Sequence, residues 1–385
     1  MVRARGTDVS ASVVLLRGLS AAPWDLRPHE LLGDGFRVSA VVAPGNLYDT
    51  SELSFERRSA LTLSDALRVP ALGRLGAKAA GERFLGLEAH LRDADIVHVV
   101  ELGNWYSAQA ARLKQRLGFK LVVSAWETLP LRRSYRNVRT RPYATAVLAA
   151  GDVFLAATER ARTALLLEGA PPDRVQVAAP GIDVERFAAA RTADPPPDGS
   201  HLVLSAGRLV WEKGHQDLLR ALALLRREGR EDVRGLIVGD GPERSRLHAL
   251  CSDLGLDGSV EFRAAVPYEE MPAIYARASC LVLASLPVRY WEEQFGMVLA
   301  EAMAGHLPIV ASTSGAIPEV VGPRGTFVAP GDWVGLAHAL RDGPLAGAPG
   351  ARSEPETERI ERFSVAAAAE RLGRVYTGLL GAASG

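Results

Sequence analysis

The stretch CLVLASLPVRYWEEQFGMVLAEAMAGHLPIVAS, residues 280–312, decides the fold. Its ends, CLVLASL (280–286) and LPIVAS (307–312), are apolar runs of strand length, and a loop and a short helix lie between them. Strand, loop, helix, strand is a βαβ crossover, with the loop at the carboxyl end of its first strand. Gly296 permits close approach to the backbone, and the free N–H groups of Met297 and Val298 begin the helix, where an anion is favoured. Glu293 lies in the loop before that turn and Glu301 one turn into the helix. A phosphate on the helix end would meet a carboxylate on either side, and carboxylates accept hydrogen bonds from sugar hydroxyls. Taken alone, the two acids equally suit a solvated loop and a surface helix.

Working outward, the 385 residues exceed one ordinary core, and two domains are expected. Hydrophobic residues make up 48% and charged residues 23%, a globular balance. Cys251 and Cys280 supply neither a disulfide framework nor a zinc cluster, which predicts a reducing cytoplasm. No apolar run of membrane-spanning length and no signal-peptide core is visible, so the expectation is a cytoplasmic protein.

The net charge of zero is unevenly divided: residues 1–190 carry 25 Lys+Arg against 20 Asp+Glu, and the rest of the chain reverses this, 20 against 25. Much of the basic excess is Arg57, Arg58, Arg68, Arg74, Lys78 and Arg83, then Arg132, Arg133, Arg136, Arg139 and Arg141. Such runs are most often solvated faces; the functional readings are peripheral contact with an anionic membrane surface or a phosphorylated acceptor. No nucleic-acid-reading motif accompanies them, so nucleic acid is not expected as a partner.

RTADPPPDGS (191–200) reads as an extended linker. It divides the chain into residues 1–190, residues 191–363 and a terminal helix over 364–385 that packs back on the first domain. SVVLLRGL, FRVSAVVA, DIVHVV, KLVVSAW and DVFLAAT precede the linker as strands; HLVLSAG, RGLIVGD, VEFRAAV, CLVLASL, LPIVAS and GTFVAP follow it, with helical stretches between. The fold class is therefore α/β, with two Rossmann-like, doubly wound parallel sheets facing across a cleft. Ligands of such sheets collect at the carboxyl ends of strands.

The first strand of the second half ends in SAGRLVWEKGHQDLL, where Gly207, Arg208, Lys213 and Gly214 precede a helix. Arg offers a fork and Lys a point charge to a diphosphate, although both also suit ordinary loop cations. GDGPER (239–244) and SGAIPEVVG (314–322), with Glu319, fall at the same sheet edge.

GRLVWEKG, GDGPER, EEQFGMVLAEAMA with seven residues between its two site acids, SGAIPEVVG and GTFVAPGD occur in the order found in family 4 retaining glycosyltransferases of the GT-B fold. APGIDVERF (179–187) resembles that family's segment joining its two domains. The match is close through residues 177–340 and looser before them.

The resemblance implies a nucleotide-diphosphate sugar as donor, a UDP-sugar first, and no cofactor or catalytic metal. By it, Arg208 and Lys213 hold the diphosphate and Glu293 contacts the donor sugar. Glu301 binds the ribose hydroxyls, and the backbone of Phe295, Gly296, Met297 and Val298 completes the site beside Gly207. Asp93-Ala94-Asp95 looks like a metal motif of the other glycosyltransferase fold, but it precedes a strand and is a decoy.

The chain departs from the family pattern in its first half. The Gly-rich loop after the first strand is reduced to Gly18, followed by Ser20, as the remaining donor contacts. Where the family places a histidine, Trp126 and Glu127 stand; His98, with Glu101 downstream, is the other candidate base, although a lone strand histidine is more often structural. Trp126 is a candidate stacking surface for a sugar or an aromatic acceptor. The expected function is retaining transfer of a sugar to a natural-product intermediate, glycan or glycolipid, the acceptor being a small molecule, carrier-bound or lipid-linked. The rivals are a nucleotide-sugar epimerase or hydrolase on the same fold and a non-catalytic sugar-nucleotide-binding protein.

Overall fold

The computed structural model describes residues 10–66, 82–132, 138, 140–354 and 356–382. The chain forms two compact units, Met1–Gly181 with Val365–Gly385, and Ile182–Ser364.

The first unit is built on a seven-stranded sheet: β1 (Ala11–Leu16), β2 (Phe36–Val42), β3 (Glu56–Ser59), β4 (Ile96–Val100), β5 (Lys120–Ala125), β6 (Val153–Ala156) and β7 (Val175–Val177). The order is β3-β2-β1-β4-β5-β6-β7, and every pairing is parallel. Successive residues serve opposite faces: Val14, Leu16, Val97, Val99, Leu121 and Val123 enter one core, and Val13, Leu15, Ile96, Val122 and Leu155 the other. Burial of both faces is why these strands read as continuous apolar runs. The helix Val365–Gly381 belongs to this unit and supplies Leu372 and the fully buried Tyr376 to the second core.

The second unit carries six parallel strands: β8 (His201–Ala206), β9 (Val233–Val238), β10 (Val260–Arg263), β11 (Cys280–Leu283), β12 (Ile309–Ser312) and β13 (Thr326–Val328), in the order β10-β9-β8-β11-β12-β13. The chain winds outward from β8 through β9 to β10, then returns to place β11 against the other side of β8. That reversal opens a crevice at the carboxyl ends of β8 and β11, the position at which doubly wound sheets bind ligands.

The apolar runs read from sequence are all strands here. β3 and β7 were not foreseen. β3 is Glu-Arg-Arg-Ser at the sheet edge, largely exposed and without an apolar pattern, and β7 has only three residues. The unit boundary also differs from the expected linker. It falls at 181/182, and residues 191–200 lie within the second unit, where the Asp194 N–H donates to Ala276 O (2.9 Å) and Arg191 Nε to Ala304 O (3.0 Å). The extended proline run is laid along the domain instead of separating two.

The two chain crossings adjoin each other: Ile182 N–H donates to Phe363 O (2.7 Å), and a Cβ on Gly181 would crowd Val365 and Ala368. Tyr376 donates to or accepts from His98 Nδ1 at 2.6 Å and meets Phe36 edge-on, so the last helix closes the first unit's core. Tyr376→Ala is expected to cost about 4 kcal/mol through the lost ring and the cavity. Differential scanning calorimetry should show the first unit's transition moving down by several degrees; an unchanged transition would remove the helix from the core.

Candidate functional site

The loops leaving β8 and β11 meet backbone to backbone. Gly214, in the left-handed region at φ +72°, lies so close to the Ala284 carbonyl that a Cβ would collide with it. The short 3-10 turn Trp211–Lys213 ahead of it therefore sits over the end of β11. A Cβ on Gly239 would likewise strike the Gly207 carbonyl, packing the β8 and β9 loops together. His215 fixes this corner, its ring reaching Ser205 Oγ at 3.0 Å and Arg208 O at 3.2 Å; burial pushes its pKa down to about 4.

This packing brings Lys213 to Glu293, 80 residues away: Nζ donates to Oε2 at 2.7 Å. Ser285 Oγ, two residues beyond the end of β11, donates to the same oxygen at 2.7 Å. The Lys213 ammonium also lies 5.1 Å from the centre of the Trp291 ring, a cation–π distance. Glu293 is held from the other side as well, its carbonyl accepting the Ala316 N–H at 2.9 Å while Gly315 passes too close for any side chain. Arg208 is exposed at the mouth of the same crevice.

Phe295 is buried edge-on against Phe363 (5.3 Å) and anchors the turn, and Gly296 at φ +77° starts the helix Met297–Ala304. The N–H groups of Met297 and Val298 fall in its first turn, where helices have no internal acceptors. Glu301 is buried on that helix and accepts the Tyr275 hydroxyl at 2.8 Å on Oε2, with the Tyr268 hydroxyl near enough to act on its charge. Burial raises its pKa to about 7, and the Tyr275 and Tyr268 hydroxyls oppose that rise.

Gly207, Arg208, Lys213, Glu293, Phe295, Gly296, Met297, Val298 and Glu301 are thus all placed by the loops and helix at the carboxyl ends of β8 and β11. Glu319 sits in the first turn of the helix Ile317–Val321, its carbonyl accepting Arg359. Sequence reading missed Ser285, His215 and Tyr275. Each lies in or beside an apolar run, and nothing local marks it as polar-site chemistry.

Three further candidates lie in the first unit. Gly18 is buried beneath Glu82, whose carboxylate accepts the Leu19 N–H at 3.0 Å and occupies the place a Cβ on Gly18 would take. His98 lies in the middle of β4, not at its end, with Nδ1 against the Tyr376 hydroxyl and Nε2 against Ser124 Oγ (2.8 Å). Burial, reinforced by Arg17, holds its pKa well below the usual value, so both ring nitrogens are committed to a neutral internal network. Glu127 is buried, ion-paired with Arg132, and caps its own turn by accepting the N–H groups of Thr128 (3.1 Å) and Leu129 (2.9 Å).

Trp126 lines a cavity with Arg17, Trp24, His29, His98 and Arg371. Asp95 Oδ2 accepts the Ser12 N–H at 2.9 Å, a structural tie between β1 and β4, and among the described residues no group of three acids, histidines or cysteines is arranged to hold a metal. Of the basic runs, Arg57 and Arg58 are tied to Leu53 O and to Glu56, while Arg68, Arg74, Lys78, Arg133, Arg136 and Arg139 lie outside the described residues. No described helix is long and apolar enough to cross a membrane.

Comparison with solved structures fixes the fold. The chain superposes on the Anabaena protein Alr3699/HepE in complex with UDP and glucose with a TM-score of 0.74, covering 96% of this chain and 100% of that one at 18% identity. This is the GT-B glycosyltransferase fold. Residues 187–342 match the description "Glycosyl transferases group 1" and residues 29–186 match "Glycosyltransferase Family 4". The D-inositol 3-phosphate glycosyltransferase 2 of Catenulispora acidiphila is 32% identical over 302 residues, 71% of this chain and 69% of that protein. A GDP-mannose-dependent alpha-(1-6)-phosphatidylinositol monomannoside mannosyltransferase of Mycolicibacterium smegmatis is 31% identical over 273 residues, 62% of this chain and 66% of that protein. The chain belongs to the family 4 glycosyltransferases and is an enzyme of the transferase class.

Because Gly214 must both adopt a left-handed conformation and pass the Ala284 carbonyl, Gly214→Ala is expected to destabilise the second unit by at least about 2 kcal/mol. Chemical denaturation should show it; a stability equal to wild type would mean that the β8 and β11 loops are not locked together.

Proposed function

We propose that this glycosyltransferase takes its sugar from a nucleotide-diphosphate sugar bound to the second unit and transfers it with retention of anomeric configuration. The observation that carries the proposal is the Lys213–Glu293–Ser285 cluster at the switch point of the sheet, with Arg208 exposed beside it and a helix start below it. Arg208 and Lys213 bind the diphosphate, the first-turn N–H groups of Met297 and Val298 add fixed positive ends, Glu301 accepts from the ribose hydroxyls, and Glu293 orients the sugar.

In the transfer, the bond from the sugar's anomeric carbon to the phosphate oxygen breaks, and a bond to the acceptor hydroxyl oxygen forms on the same face. The acceptor's proton passes to the departing phosphate oxygen. The commitment of His98 and Glu127 to internal hydrogen bonds supports this route, since both candidate bases are otherwise engaged. The two cations and the helix start offset the charge growing on the leaving group, so the reaction needs no metal.

A UDP-sugar is the first donor to test and GDP-mannose the second; UDP is named in the complex of the structural neighbour and GDP-mannose in a relative's name. The acceptor is a hydroxyl compound, a natural-product intermediate or a glycolipid, and its contacts are assigned to the first unit. The basic residues of that unit would also serve peripheral contact with a membrane from the cytoplasmic side.

The test is transfer to a panel of hydroxylated acceptors, run in chelator throughout, with anomer analysis of the product. Wild-type turnover should survive the chelator and retain configuration, and Lys213→Ala and Arg208→Ala should each lower kcat/KM for the donor by about 100-fold. Near wild-type transfer in both variants contradicts the site. Equal release of free sugar with and without acceptor makes the protein a hydrolase, and donor binding without any turnover makes it a binding protein.

A further inference from the structure

We propose that Tyr275 is a positioning residue for the donor: its hydroxyl fixes the Glu301 carboxylate, in orientation and in its charged form, for the ribose hydroxyls of the nucleotide. The inference rests on the donor site proposed above and adds to it a residue that touches no substrate.

Tyr275 lies on the helix Met271–Arg277, its ring fully buried and edge-on to Phe187 at 5.4 Å. For packing alone, phenylalanine would fill the same volume. The hydroxyl is instead 2.8 Å from Glu301 Oε2 and 3.3 Å from Val298 O, so one group touches both the ribose acid and the first turn of the phosphate-facing helix.

Glu301 faces only hydroxyl donors among its described partners. These are Tyr275 and Tyr268; behind Tyr268 the Arg186 guanidinium lies 5.2 Å from the ring centre and is itself paired with Asp183 (3.1 Å) and Glu269 (2.8 Å). A buried carboxylate without a cation is costly to keep charged, which is why the Glu301 pKa rises to about 7 even with the Tyr275 hydrogen bond in place. The Tyr275 phenol, buried and beside this carboxylate, is pushed well above its usual range and stays a donor.

A hydrogen bond to the charged form lowers an acid's pKa, so its removal raises the Glu301 pKa further and leaves more of the carboxyl protonated at pH 7. A protonated carboxyl loses acceptor capacity toward ribose hydroxyls. Raising the pH restores the charged form, and with it part of the binding.

Binding of UDP and of GDP to the full chain by isothermal titration calorimetry, at pH 7 and pH 9, tests this. Tyr275→Phe should weaken the Kd of whichever nucleotide binds by about tenfold at pH 7 and by about threefold or less at pH 9. Tyr268→Phe should shift in the same direction by less. In a Glu301→Gln background, which itself weakens binding by about tenfold or more, Tyr275→Phe should add less than about twofold.

Wild-type affinity in Tyr275→Phe while Glu301→Gln binds weakly overturns the positioning role and leaves the donor site standing. Equal weakening by Tyr275→Phe at both pH values and in both backgrounds also overturns it, since the residue would then act through packing. Unchanged affinity in Glu301→Gln, or no binding of either nucleotide to the wild type, overturns the donor assignment itself.

Discussion

The ion pair between Lys213 and Glu293 is the contact on which the rest of the second unit's site depends. Both side chains are largely out of water, at 15% and 6% exposure, and taking two charges out of solvent costs several kcal/mol that their attraction only partly returns. A well-packed apolar pair would serve stability as well or better. The chain instead commits glycine at 214 and 315 to let the loops after β8 and β12 close on this point, and it adds Ser285 to the same carboxylate oxygen. The arrangement keeps a cation and an acid dry, oriented and at the mouth of a crevice. That is the preorganisation a charged, hydroxyl-rich ligand requires.

The same constraint explains the division of labour along Met297–Ala304. Phe295 against Phe363 sets the angle at which the chain enters the helix, Gly296 makes the left-handed turn, and Glu301 follows within the helix where Tyr275 can reach it. The helix therefore presents fixed N–H groups at one end and a carboxylate further along, with burial controlling how charged that carboxylate is. In the proposed donor site, phosphate and sugar recognition would be coupled through this single helix.

Much of this was legible in the sequence because the determinants are local or repeat at fixed spacing. Arg208 and Lys213 lie on one loop, Glu293 and Glu301 on one crossover, and the strand runs are continuous because both sheet faces are buried. What was not legible depends on residues far apart in the chain. Gly18 reads as an open turn until Glu82, 64 residues on, is seen to cover it. His98 reads as a strand-end base until Tyr376 arrives from the last helix to take one of its nitrogens. Glu127 reads as a replacement for a missing histidine until its own turn and Arg132 consume both oxygens. The proline run reads as a linker because composition reports extension and not the surface along which the extended chain is laid. Tyr275 and Ser285 were invisible for a related reason: a polar atom at the end of an apolar segment has no pattern of its own.

The measurement that bears most directly on the account is a crystal structure of the protein with UDP or GDP bound. In that structure Lys213 Nζ is expected to leave Glu293 for a diphosphate oxygen, the first-turn N–H groups of Met297 and Val298 to face the phosphates, and Glu301 to accept from the ribose hydroxyls. A nucleotide seated away from the carboxyl ends of β8 and β11, or a Lys213–Glu293 contact unchanged beside a bound diphosphate, would contradict it.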